Sequence, residues 1–115
     1  MSRLTRAAPP PPTLAPEAQK LWRHLLPMCV RIGSVRTSDL AAFELLVVAL
    51  ATERQARARL DQDGLTVATA AGGLKSHPCL KVAERARGQA LGLLGQFGLT
   101  PVALQQIAWE PGERS

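Results

Sequence analysis

The side chains best suited to metal binding or covalent catalysis are two histidines, His24 and His77, and two cysteines, Cys29 and Cys79. A structural zinc site needs four such ligands at characteristic close spacings. Here His77 and Cys79 stand two apart across a helix start, and His24 and Cys29 five apart on a proline-interrupted segment, so neither pair has that spacing. Nucleophilic catalysis needs a nucleophile, a base and an orienting group in hydrogen-bond reach, and no such constellation emerges. Gly72-Gly73 lacks the upstream glycine spacing and the Lys-Ser/Thr that would cradle a nucleotide's phosphates. The expectation is a protein with no catalytic residues, no metal and no cofactor.

The remaining chemistry is electrostatic. Fourteen Lys and Arg against nine Asp and Glu give a formal charge of +5 and a pI near 10.2. That imbalance attracts polyanions at long range, although charge alone fits a solubility role equally well. The candidate phosphate-binding residues are Lys75, His77, Lys81, Arg85 and Arg87, with only Glu84 opposing them locally. Lys81 and Arg85, four apart, share a helical face. Secondary candidates are Arg3 and Arg6, ahead of the proline run Pro9 to Pro12, and Lys20 and Arg23 on the polar side of the first helix. Repeated around a homo-oligomer, such a surface would form a continuous positive band.

These residues need a frame, and 115 residues allow one compact domain. Hydrophobic residues are 46% of the chain but aromatics only 3%, so the core must be aliphatic and rich in alanine. Such a core buries little area per side chain, and oligomerisation would supply more. Residues 1–14 read as a flexible basic, proline-rich arm, 15–108 as the helical domain and 109–115 as a polar tail. A first helix starts at Pro16 and runs to Ile32, with Pro27 expected to kink or restart it and Gly33 to end it. Thr37 is the expected N-cap of the longest helix, Leu40 to Leu60, which Gly64 terminates. Its second half allows Glu53–Arg57, Arg57–Asp61 and Arg59–Asp63 pairs and reads as a solvated face.

Leu65 to Thr69 alternates with β-branched residues and meets Gly72-Gly73, predicting a short extended stretch or small hairpin. Pro78 opens the next helix, where Cys79, Ala83, Ala86, Ala90, Leu93 and Phe97 step with the spacing of a helix-pairing seam. Gly98 stops it, and Thr100-Pro101 starts a short last helix through Ile107. The fold expected is all-α: a long antiparallel helical hairpin with a short N-terminal helix, a short C-terminal helix and a small β-hairpin-like connection. Leu40, Phe43, Val47 and Leu50 of the long helix and Ala83, Ala86, Ala90, Leu93 and Phe97 of the next form the expected interface between copies. No secretory signal precedes the cysteines, which points to free thiols in a reducing compartment. The longest apolar run, Leu40 to Ala51, is too short to span a membrane.

Five segments together resemble a known family: Leu14-Ala15-Pro16-Glu17-Ala18 leading to Trp22; Thr37-Ser38-Asp39-Leu40-Ala41-Ala42; Asp63-Gly64-Leu65-Thr66-Val67; Gly72-Gly73-Leu74-Lys75-Ser76-His77-Pro78; and Phe97-Gly98-Leu99-Thr100-Pro101. In order and spacing they are similar to the small subunits of tailed-bacteriophage terminases, in the branch often carried by prophages. The sequence departs at Ser76, where proline is common in that family, and at Val102-Ala103, where a small residue and arginine are common. The resemblance implies a ring-like homo-oligomer in the host cell cytoplasm that recognises viral double-stranded DNA. It would deliver that DNA to a large subunit carrying the ATPase and nuclease; on the electrostatic reading, sequence choice would come from few or no base contacts. The short last helix and the Trp109 tail are the candidate contact with that large subunit. The main rival is a helix-turn-helix regulator built from the first two helices, against which the apolar start of the second helix argues. A small enzyme or nuclease is the other rival, and the missing metal or acid–base cluster argues against it.

Overall fold

The computed structural model describes residues 3–104. Helix α1 (Pro16–Ile32) is followed by a 3-10 turn (Thr37–Asp39) that runs directly into α2 (Leu40–Asp63). Strands β1 (Thr66–Ala68) and β2 (Leu74–Ser76) then pair antiparallel, with Thr66 opposite Ser76, Val67 opposite Lys75 and Ala68 opposite Leu74. Helix α3 (Pro78–Gln96) returns along α2, and the four-residue α4 (Pro101–Leu104) closes the described chain. The result is mostly helical: an α2–α3 hairpin with a small two-stranded tip, and α1 packed against α2. The sequence reading carries the last helix to Ile107 and the tail from Trp109; residues 105–115 lie outside the described residues.

Local chemistry fixes the helix ends. Pro16 and Pro78 each occupy the first turn, where a missing N–H costs nothing. Gly33 (φ 71°) ends α1, with the Ser34 N–H donating to the Cys29 carbonyl at 3.0 Å and the Gly33 N–H to Val30 at 3.1 Å. Gly98 (φ 67°) repeats the arrangement after α3, through Leu99 to Leu94 at 3.0 Å. Both are left-handed stops that satisfy the last carbonyls. Two expectations change. Thr37 does not cap α2; the Asp39 carboxylate instead accepts the Arg36 backbone N–H at 2.9 Å and closes the 3-10 turn. Pro27 does not break α1, which is one helix through it, because the buried residues Leu21, Trp22, Leu25, Leu26 and Cys29 hold both sides of the proline against the core.

The core centres on Phe43, fully buried in α2. Its ring meets Trp22 of α1 edge-on at 5.1 Å and Phe97, at the end of α3, edge-on at 5.3 Å. Leu46, Val47 and Leu50 of α2 and Ala86, Ala90 and Leu94 of α3 extend this packing along the hairpin, where the alanines let the backbones approach. This corrects the expected subunit interface: Phe43, Val47, Leu50, Ala86, Ala90 and Phe97 are buried within this chain, and Leu40, Ala83 and Leu93 are half-buried. The periodic seam is real, but its partner is the chain's own α2.

The described part of the arm is not free either. The Leu4 N–H donates to the Val35 carbonyl at 3.0 Å, the Trp22 indole N–H to the Ala8 carbonyl at 2.8 Å, and Leu14 is buried. The prolines lead the chain back over α1, where Pro9 and Pro10 border a shallow pocket with Trp22, Leu26 and Pro27. The charged half of α2 is only partly a solvated face. Glu53 is buried and pairs with Arg57, while Arg54 lies 4.0 Å from Glu17 of α1 and donates to the Leu104 carbonyl at 3.3 Å. Burial pushes the Arg54 guanidinium down from its ordinary range, and Glu17 pulls it partly back.

Phe43→Ala should destabilise the chain by roughly 3–5 kcal/mol, because it removes the ring that three helices share. Gln55→Ala, exposed on the same helix, should stay within about 0.5 kcal/mol. Urea midpoints of the two variants measure the contrast.

Candidate nucleic-acid interface

Helix α3 buries one face on α2 and leaves the other to solvent. The buried positions Ala86, Ala90 and Leu94 step by four. Lys81 and Arg85 fall on the opposite side, one turn apart and both exposed. Gly88, Gly92 and Gly95 continue that outer side, and a Cβ built on any of them meets nothing within 4 Å. Among the described residues no carboxylate pairs with Lys81, Arg85, Arg87 or Lys75. Lys75 stands exposed on β2, so it extends the cationic surface onto the hairpin tip. Arg87, also exposed, lies about 200° around the helix from Arg85 at 100° per residue, away from that surface.

His77 is the residue the structure removes from the predicted set. Its side chain is buried, and both ring nitrogens are engaged. Nδ1 accepts the Cys79 N–H at 3.0 Å and caps α3, so in the neutral ring Nε2 carries the proton and donates to Asp63 Oδ2 at 3.0 Å. Asp63 also accepts from Arg59 Nε at 2.7 Å. These bonds tie the last turn of α2 to the first turn of α3 and, with the His77 N–H donating to the Leu65 carbonyl at 2.8 Å, set the base of the β-hairpin. The histidine positions the cationic face and does not belong to it. The hydrogen bond from His77, followed by that from Arg59, holds the Asp63 carboxyl below its ordinary value of 3.8.

The secondary candidates scatter. Arg23 is exposed on α1 and donates to Gln19 Oε1 at 3.2 Å, and Lys20 is half-buried on the same helix. Arg3 and Arg6 are exposed at the far end of the molecule from the hairpin tip. The two cysteines do not meet. Cys29 is fully buried, and burial pushes its thiol up despite the opposing hydrogen bond from Ser34. Among the described residues no group of three His, Cys, Asp or Glu is placed to hold a metal, and no helix is long and apolar enough to cross a membrane. Sequence reasoning missed an apolar groove of about 360 Å³ along one side of the hairpin, between Leu45, Val48 and Thr52 of α2 and Ala86, Gln89 and Leu93 of α3. Leu45 is 63% exposed and Val48 41%. The signal was present in the first half of the long helix, which is apolar nearly all round and therefore carries more apolar surface than one partner helix covers.

Fold and surface together define a small helical-hairpin protein whose chemistry-bearing residues are surface cations around an aliphatic core. Comparison with protein families matches residues 18–114 to the family described as phage terminase, small subunit. The chain belongs to that family. Comparison with curated proteins yields no match. Comparison with solved structures yields none either.

The His77 cap and the Asp63 carboxylate give separate expectations. His77→Ala should cost about 1 kcal/mol through removal of the cap, and His77→Asn, whose side chain can still accept from the helix, should recover most of it. Asp63 is depressed in the folded state, so its contribution is present above the unfolded value and is lost as pH falls through the lower folded one. Asp63→Asn should therefore lower stability at pH 7 and flatten the decline below about pH 4. Urea titrations across pH 2.5–7 read both effects.

Proposed function

We propose that this chain is the non-enzymatic DNA-recognition component of a phage packaging machine, active in the host cell cytoplasm. It engages viral double-stranded DNA through the cations of α3 and the hairpin tip, assembles with copies of itself into a ring-like homo-oligomer, and recruits the large ATPase–nuclease subunit. The observation that carries this reading is the outer face of α3, where Lys81 and Arg85 stand exposed, as Lys75 does on β2, with no carboxylate partner among the described residues. In a chain with a formal charge of +5, cations left without internal partners are available to phosphates. A single copy offers few of them, and symmetry multiplies the number.

Self-association is best served by the apolar groove beside Leu45, Val48 and Leu93, since the residues first expected at the interface lie inside the chain. A helix-turn-helix regulator would need α2 to enter the major groove, yet the first turns of α2 carry Phe43, Leu46 and Val47 into the core. That burial favours the packaging reading over the regulator.

Duplex binding should weaken steeply with salt. Lys81→Ala/Arg85→Ala should lower the slope of log K against log salt by about 1.8, or 0.9 for each phosphate no longer neutralised. Fluorescence anisotropy on a labelled duplex measures it; a slope unchanged by the double variant defeats the assignment. Leu45→Glu/Val48→Glu should shift the light-scattering mass toward the monomer while leaving the helical circular dichroism intact, because both side chains are exposed.

A further inference from the structure

The turn between α1 and α2 gathers arginines that the cationic face of α3 does not include. Arg3 pairs with Arg36 in an isolated antiparallel bridge. Beside it, the Leu4 N–H donates to the Val35 carbonyl at 3.0 Å. The pleat sorts the two pairs: Val35 is fully buried and Leu4 half-buried, while Arg3 and Arg36 emerge together on the outer side. Arg31, exposed in the last turn of α1, precedes Gly33 by two residues, and a Cβ built on Gly33 would stand 3.1 Å from Arg3 Nη1. Arg3 and Arg36 thus emerge together at the C-terminal end of α1, whose last turn also carries exposed Arg31.

Like charges placed directly across a strand pair repel. The end of a helix carries about half a negative charge, enough to justify one cation and not three. Among the described residues no carboxylate pairs with Arg3, Arg6, Arg31 or Arg36; the nearby Asp39 is engaged by the Arg36 backbone N–H. The planar forks of neighbouring arginines match phosphate oxygens, and a bridge sets their origins about 5 Å apart, close enough to address neighbouring phosphates of one strand.

We propose that Arg3, Arg31 and Arg36 form a second phosphate-binding site for the backbone of duplex DNA, at the end of the molecule opposite the hairpin tip. The inference rests on the reading that this chain engages DNA, but not on which residues of α3 do so. The 24 residues of α2 separate the two ends by about 36 Å, so the sites are independent. The bridge to Arg36 fixes the arm candidate Arg3 beside the end of α1, a placement that the arm residues alone did not indicate.

The test uses the full chain and a labelled 20-base-pair duplex, with binding measured by anisotropy across a salt series for the wild type, R31Q/R36Q, R31K/R36K and K81A/R85A. R31Q/R36Q should bind about tenfold more weakly at 0.1 M salt, with a log–log slope lower by about 1.8, and R31K/R36K should keep the slope while losing part of the affinity. All four positions are exposed, so circular dichroism should be unchanged. If R31Q/R36Q binds like the wild type while K81A/R85A does not, this site is overturned and the α3 reading stands. If the reverse holds, this site stands and the α3 assignment falls. A wild type indifferent to duplex at low salt overturns both.

Discussion

Phe43 is where the fold is decided. An aliphatic, alanine-rich chain has few large side chains with which to fix the relation of its helices, and this one places three of its aromatic rings in a row, Trp22, Phe43 and Phe97, each edge-on to the next. Edge-to-face rings set an angle as well as a distance, so they orient α1 and the end of α3 on α2 in a way that alanine packing alone cannot. Everything along the hairpin follows from that register. Ala86 and Ala90 come to lie on α2, which turns Lys81 and Arg85 outward, and the tip is brought to the height at which His77 meets Asp63.

The hairpin tip shows the same dependence from the other side. A two-stranded sheet with three residues in each strand is marginal alone, and here nearly all of its side chains are exposed, Leu74 at 73%. Its shape is imposed at the base, where the His77 ring, the Asp63 carboxylate and the Leu65 carbonyl join the two helix ends. A buried histidine used as a cap gives the helix start a side-chain acceptor without adding another carboxylate to a cationic surface. The position of Lys75 is thereby a consequence of packing some distance below it.

The boundaries of the helices were legible because their causes are local. Pro16, Gly33, Gly64, Pro78 and Gly98 act through their own backbone restrictions, and each marks an end as read. What covers a buried face was not legible. Periodicity says that Ala86, Ala90 and Phe97 must be buried, but the same pattern serves a neighbouring helix of the same chain or of another. His77 was miscounted for a related reason: by residue type it joins a basic cluster, and its use as a cap emerges only when Asp63, fourteen residues earlier, is folded against it. Thr37 does not take its expected role because Asp39, two residues on, reaches the Arg36 N–H and forms a tighter turn. The groove beside Leu45 and Val48 was foreshadowed by the apolar excess of α2, though no pattern on one helix gives the shape of a cleft between two.

The distribution of charge is a further product of the fold. Glu17 lies against Arg54, Glu53 pairs with Arg57, Asp63 holds Arg59 and His77, and Asp39 closes a turn. These four carboxylates work inside the frame, at helix junctions and helix ends, where each is close to a partner in sequence or across a helix pair. The cations left over are not spread evenly. Several of them stand on the outer face of α3 with the hairpin tip and around the α1–α2 turn, while Arg23 and Arg87 lie elsewhere. A net charge of +5 would be weak if diffuse. With four acids drawn into structural roles along α1 and α2, part of that excess stands at the two ends of the hairpin, and local potential, rather than total charge, is what a polyanion meets first.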